Sequence, residues 1–302
     1  MKTVILSFDY EVFGRVPGNV QSSVIEPTDR ILKLFSHYNK KGTFFIDLLY
    51  FVAFPDKAVN DQIKRIFYSG HEIGVHIHPH WINGEVSIFK SDIKKCFEIW
   101  YTMKDKIIPD CCPVSYRGGA LMVQPFSELK PYFEQYGLII DSSVAKGLYI
   151  NSSVQHIDFR NAPSKSIYAF TDDPLTESNG TLLEIPITTY KQNIIENLGS
   201  EKNTIPKFGD GIGFGFNDIH GDKSWMQRKK IILRNFLSSY RMYTLENVIP
   251  EFSWLKLKLD PRKNICFISH PKSMDENSLY YLGYLLKNHT VTTIKNYAGT
   301  RL

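Results

Sequence analysis

Cysteine is scarce: the 302-residue chain has only four, and no two stand in a Cys-x-x-Cys spacing. That argues against a zinc knuckle. Cys111 and Cys112 are adjacent and cannot easily bridge each other, so no disulfide framework is expected. Cys96 and Cys266 lie in apolar runs and read as small core residues. No apolar run reaches the roughly 18 residues of a membrane span. The opening MKTVILSFDYEV meets acidic residues by Asp9, too soon for a signal peptide, which makes the cytoplasm the expected location. There is no dense basic block either. A net charge of +5 spread along the chain gives a solvated basic surface, not a track for nucleic acid. Internal repeats and low-complexity linkers are also missing. What is present, 43% hydrophobic and 14% aromatic residues, suffices for a large core in one domain spanning 1–302.

The first 145 residues alternate strand and helix patterns. TVILSFDYEV, GTFFIDLLYF, HEIGVHI, PVSYRGG and LIIDSSV read as strands. EPTDRILKLFSHYNKKG, KAVNDQIKRIFYSG, SIFKSDIKKCFEIWYTMK and SELKPYFEQYG read as the helices between them. Such alternation implies parallel strands joined by right-handed crossovers. From 146 to about 221 the rhythm breaks into a loop-rich insertion around one strand, TLLEIPIT. Its FGDGIGFGF follows no strand and opens no helix, so a phosphate loop is not expected. Alternation resumes with a helix over 224–240, the strand NICFISHP, the helix DENSLYYLGYLLKNH and a last strand in VTTIKNYA. About seven strand–helix units fit a barrel better than an open sheet.

In such a barrel the chemistry sits at the C-terminal ends of strands. The first strand ends in Asp9-Tyr10-Glu11, the third in His76 to His80, the fourth in Arg117 and a late one in His270. Asp9 and Glu11, at i and i+2, enter the mouth together, and a cation beside them relieves their repulsion. An isolated Asp-x-Glu more often caps a loop, so the histidines must supply the other half. His71 opens its strand at the far end from the mouth. Pro79 keeps His76 and His80 off a shared helix face, so either they converge through a bend, or His76, His78 and His80 alternate onto one face of a continued strand. Two histidines and a carboxylate with an open position make a catalytic rather than a structural metal arrangement. Arg117, beside a glycine pair, can pin a carboxylate or hold an anion, and His270 can give up a proton near neutral pH.

Together these residues resemble the polysaccharide deacetylase superfamily, the NodB-homology domain of the family 4 carbohydrate esterases. SFDYE is similar to its first motif, T-F-D-D-G, and GTFFID to the A-T-F-F strand that follows. GHEIGVHIHPH is similar to G-H-E-I-x-x-H-[ST]-x-x-H, SYRGG to the arginine motif and FISHP to the terminal histidine motif. The resemblance implies a distorted (β/α)7 TIM-like barrel. It also implies one divalent metal, zinc first and cobalt, nickel or manganese as alternatives, held by Glu11, His76 and His80, with His78 as a second-layer partner or an extra ligand. Asp9 would be the general base, Arg117 its orienting partner and His270 the general acid. Substrate would meet backbone near Tyr116 and Gly118.

The implied reaction removes the N-acetyl group of an acetamido sugar or polysaccharide precursor. Tyr10 stands where the family has its second acidic residue, Ile77 replaces the usual Ser/Thr, and no Trp-containing fourth motif is visible. These departures leave two alternatives: hydrolysis of another C–N bond in a small molecule, as in allantoinase-like relatives, and a domain that binds carbohydrate without turnover.

Overall fold

The structure, a computed structural model, describes residues 1–11, 20–48, 56–78, 92–151, 155–191, 240–246 and 248–300. The first half runs β1 (Thr3–Tyr10), α1 (Glu26–His37), β2 (Thr43–Asp47), α2 (Lys57–Tyr68), β3 (Glu72–Ile77), α3 (Asp92–Ile107), β4 (Ser115–Gly118), α4 (Lys130–Tyr136) and β5 (Ile140–Asp141). Five three-residue strands follow: β6 (Tyr149–Asn151), β7 (His156–Asp158), β8 (Tyr168–Phe170), β9 (Leu182–Glu184) and β10 (Thr189–Lys191). The chain closes with β11 (Tyr240–Met242), α5 (Pro250–Leu259), β12 (Asn264–Ser269), α6 (Glu276–Asn288), β13 (Thr290–Thr292) and α7 (Ile294–Gly299).

One nine-stranded sheet carries the order β12-β1-β2-β3-β4-β5-β9-β8, with β13 beside β1. All its pairings are parallel except β8 with β9. The seam between β9 and β12 is bridged by Thr188 N–H to the Cys266 carbonyl at 3.0 Å and by Ile268 N–H to the Tyr243 carbonyl at 3.1 Å. The result is the distorted α/β barrel that the alternation implied.

Strand periodicity builds two cores and a site. On β1, Val4, Leu6, Phe8 and Tyr10 face the helical layer, where Phe8 stacks on Phe44 of β2. The alternate residues face inward: Ile5 joins Phe45, Ile140, Ile185 and Cys266 in an inner cluster. Above it the inward positions turn polar, because the strands end there and water can enter. Gly74 keeps this interior passable, since a Cβ there would lie 2.4 Å from the Phe45 ring. That ring in turn lies 4.3 Å beneath the Arg117 guanidinium.

Three expectations change. YINSSVQHIDFRNAPSKSIYAF is not loop throughout, since it supplies the ribbon β6–β7 and the edge strand β8. VTTIKNYA is strand only over Thr290–Thr292; Thr293 Oγ1 then accepts the Asn296 N–H at 3.2 Å, a helix cap that starts α7. TLLEIPIT is strand only over Leu182–Glu184; Ile185 N–H still donates to the Asp141 carbonyl at 2.9 Å, and Thr188 then bridges the seam. The glycine-rich stretch and nearly all of the 224–240 helix lie outside the described residues.

Two buried carboxyls sit on the outer face. Glu184 of β9 is paired in register with Asp141 of β5. Burial first, and then Asp141, push Glu184 well above the usual carboxylate range, and burial raises Asp141 too. A carboxyl with a raised folded pKa costs the fold nothing below its unfolded pKa. The cost then grows as pH rises toward the folded value, by at most about 1.4 kcal/mol per pH unit for one group. Glu184→Gln keeps the neutral shape, so between about pH 5 and pH 8 its Tm is expected to fall less than that of the unaltered chain. Parallel melting curves would show instead that Glu184 is ionised in the fold.

Candidate active site

The polar end of the barrel gathers residues from six segments. Asp9 comes from the last turn of pleat in β1, and Glu11 follows it. Asp47 ends β2. His76 lies in β3 and His78 just beyond it. Arg117 is on β4, Ser142 follows β5, and His270 and Lys272 follow β12. All but His270 are buried among the described side chains, and Arg117 has no exposed surface.

Arg117 is fixed from two sides. Its Nε donates to the Ser142 carbonyl at 2.8 Å, and its Nη2 to Ser142 Oγ at 3.0 Å. That leaves Nη1 to donate to Asp9 Oδ1 at 2.7 Å. A fork held this way presents the other Asp9 oxygen, Oδ2, to the mouth, 3.9 Å from His76 Nε2 and 3.7 Å from His270 Nε2. Burial alone would raise the Asp9 pKa, but Arg117, His76 and His270 outweigh it and hold the carboxyl below its ordinary value.

The two histidines of β3 are aimed by their Nδ1 atoms. His76 Nδ1–H donates to the Arg117 carbonyl at 2.7 Å, and His78 Nδ1–H to Asp47 Oδ1 at 3.2 Å. In the neutral rings both lone pairs are therefore on Nε2, and each Nε2 lies 3.3 Å from Glu11 Oε2. Glu11, His76 and His78 thus offer three ligand atoms within 4.8 Å of one another. Ligands at about 2.1 Å from a tetrahedral ion stand about 3.4 Å apart, so the donor set fits a zinc-like cation. Lys272 Nζ also reaches Glu11, at Oε1 and 2.5 Å.

His270 is held by Glu246, which accepts both its Nδ1–H at 2.6 Å and its backbone N–H at 2.5 Å. Burial opposes protonation of this ring, but Glu246, Glu11 and Asp9 prevail and push its pKa up to about 9. Its Nε2 faces the carboxylates across the mouth.

Of the residues expected from sequence, Asp9, Glu11, His76, Arg117 and His270 meet here. His78 joins them as a donor, while His80 lies outside the described residues. Tyr116 alternates with Arg117 on β4, so its ring stacks on Phe97 at 5.9 Å between sheet and helices and leaves only its backbone for the expected role. One expectation is corrected. The Gly118 N–H is already donated to Ser143 Oγ at 2.8 Å, so it is not open to substrate. His71 lies at the opposite end, accepting the Gly42 N–H through Nδ1 at 3.1 Å.

Three participants went unread in the sequence. Asp47 obeys the strand-end rule and could have been found by it. Lys272 stands two places past His270. Glu246 precedes α5 with no regular element around it, and nothing local marks it.

The second glycine of SYRGG has a specific task. A Cβ on Gly119 would lie 2.4 Å from the His78 ring. The same Cβ would lie 2.5 Å from the Ile77 carbonyl oxygen, so Gly119→Ala is expected to displace the end of β3 together with the His78 ring, lowering Tm and weakening divalent-metal binding in the folded fraction. Metal affinity by competition with a chromogenic chelator reads this out, and unchanged affinity would remove His78 from the ligand set.

No protein-family model matches the chain, and neither does any curated protein. Its fold, however, is that of the polysaccharide deacetylase barrel. A Mycobacterium smegmatis protein whose crystal structure bears the polysaccharide deacetylase name superposes with a TM-score of 0.54, at 13% identity, over 99% of this chain and 89% of that one. Puue allantoinase gives a TM-score of 0.46 at 13% identity, covering 98% and 89%. A family 4 acetyl xylan esterase from Clostridium thermocellum, in complex with cobalt, gives 0.28 at 27% identity, covering 38% and 48%.

Proposed function

We propose that this chain is a metal-dependent hydrolase that removes the N-acetyl group from an acetamido sugar or polysaccharide precursor. One observation carries the reading: a three-donor set beside a carboxylate pinned by a buried arginine, with a histidine facing both from across the mouth. Glu11 Oε2, His76 Nε2 and His78 Nε2 would hold the ion. Two imidazoles and a carboxylate suit zinc first, with cobalt, nickel or manganese as substitutes. When bound, a divalent ion there supplies Lewis acidity toward the acetyl carbonyl and lowers the pKa of water.

The chain's own residues do the rest. Asp9 Oδ2 takes the proton of the water that adds to the carbonyl carbon, and Arg117 keeps Oδ1 out of that exchange. His270 Nε2–H gives its proton to the sugar nitrogen as the C–N bond breaks, releasing acetate and the free amine. Glu246 holds the His270 ring in register and favours its protonated form before the step. The test is acetate release from N-acetyl sugars, their nucleotide-linked forms and short chitin oligomers, with bound metal measured on the same sample. Release from none of them would sink the substrate assignment.

A second reading draws on Lys272. Its ammonium already neutralises Glu11, as a metal-free hydrolase of another C–N bond would require. A purified chain that holds no stoichiometric metal and turns over a cyclic amide would favour that reading.

A further inference from the structure

The opposite end of the barrel carries a cavity of about 230 Å³, about 20 Å from the mouth by the length of β1 and β12. Lys2 and Lys263, just ahead of those strands, line it with Trp254 and Lys258 of α5, Arg262, and His289 at the end of α6. Among the described residues this lining holds no carboxylate. The nearby Asp260 is already engaged by Arg262 through Nε at 2.9 Å and Nη2 at 2.5 Å.

Two buried donors are left over. His289 Nδ1 accepts the Lys2 N–H at 3.4 Å, so in the neutral ring the proton sits on Nε2. Neither that Nε2–H nor Trp254 Nε1–H has a hydrogen-bond partner among the described residues, although both atoms are buried. Lys2 Nζ is committed to the Asp260 and Arg262 carbonyls, at 2.5 and 2.7 Å, and Arg262 to Asp260, so the cations offered beside the two orphaned donors are Lys258 and Lys263, and that set asks for an anionic acceptor.

α5 itself adds a second feature. Its inner side packs Trp254 against Tyr284 of α6, with ring centroids 4.8 Å apart, and buries Leu257. Its outer side is also apolar. Phe252, Leu255 and Leu259 follow the i, i+3, i+7 spacing of one helical face and, with Ile249 and Tyr280, are 50% to 72% exposed. A helix apolar on both sides is expected to be covered on both. The exposed stripe ends beside the cation-lined cavity, which is the pattern an amphiphile with an acidic headgroup complements: apolar surface for its chains, donors and lysines for its phosphate.

We propose that α5 and this cavity dock the chain on an anionic phospholipid surface, with a headgroup phosphate taken up between Trp254, His289 and the surrounding lysines. The stripe runs from Ile249, close in sequence to Glu246 of the site, to Leu259 at the far rim. The barrel therefore lies on its side and its mouth opens near the lipid plane. The inference uses this surface alone and stands or falls separately from the hydrolase reading.

The test is cosedimentation of the full chain with phosphatidylcholine vesicles, with and without phosphatidylglycerol. Binding is expected to the anionic vesicles only and to weaken with salt. The surface variants L255E/L259E and K258E/K263E are each expected to abolish it while melting like the unaltered chain. Inorganic phosphate, followed by tryptophan fluorescence against Trp254→Phe, separates the free anion from the headgroup.

Absence of vesicle binding overturns the proposal, as does equal binding to uncharged vesicles. So does saturable phosphate binding with no vesicle binding, which would leave a soluble anion as the ligand. A dimer that L255E/L259E dissociates in sedimentation velocity would show that a second copy covers the stripe, and would overturn it too.

Discussion

Asp9→Asn is expected to keep its bound metal and lose about 10²- to 10⁴-fold in kcat, the range for removing a general base. Asparagine retains a carbonyl oxygen for Arg117 Nη1, so the 2.7 Å contact survives in kind. What disappears is the basic oxygen at Oδ2, the one that faces His76 and His270. The substitution also leaves a fully buried guanidinium without its counter-charge. A lower Tm is therefore expected alongside the loss of turnover, and its size can approach the roughly 3–5 kcal/mol of a broken buried pair. Metal content and kcat measured on the folded fraction separate the two effects. Full turnover by Asp9→Asn would refute the assignment of Asp9 as base.

The second large effect concerns the ion. His76→Ala and His78→Ala are each expected to release stoichiometric metal on dialysis, because each removes an Nε2 that lies 3.3 Å from Glu11 Oε2. Asp47→Asn removes only the carboxylate that fixes the His78 ring and is expected to weaken binding about 10- to 100-fold. Placing His80→Ala in the same series decides between the two ligand sets the sequence allows. Metal loss in His80→Ala with retention in His78→Ala would assign the second imidazole to His80. Unchanged metal in both would contradict any two-histidine site.

The site was legible wherever it follows strand arithmetic. Asp9 and Glu11 share a face because side chains in a strand alternate, and His76, Arg117 and His270 are at or near strand ends because parallel barrels put their open rim there. The same rule was available for Asp47 but was not applied to it, since GTFFID reads as a plain buried strand. His78 and His80 could not be ranked from sequence, because β3 ends at Ile77 and strand periodicity ends with it. The space that admits the His78 ring comes from Gly119, in the turn that follows β4.

Glu246 marks a deeper limit. Its partner His270 is across the β9–β12 seam, where contacts form between irregular segments and no period exists to read.

The pairing of β12 with β1 joins Thr3 to Asn264 and brings Lys272 to Glu11 across 261 positions of sequence. During synthesis, Asp9, Glu11, His76 and His78 exist long before their cationic and proton-donating partners emerge. A nascent barrel holds the acidic half of its centre without Lys272 or His270, and the closing strand completes the charge balance as it docks. Assembly order thus keeps His270 out of the mouth until β12 is in place. The candidate site is therefore complete only once β12 has docked on β1.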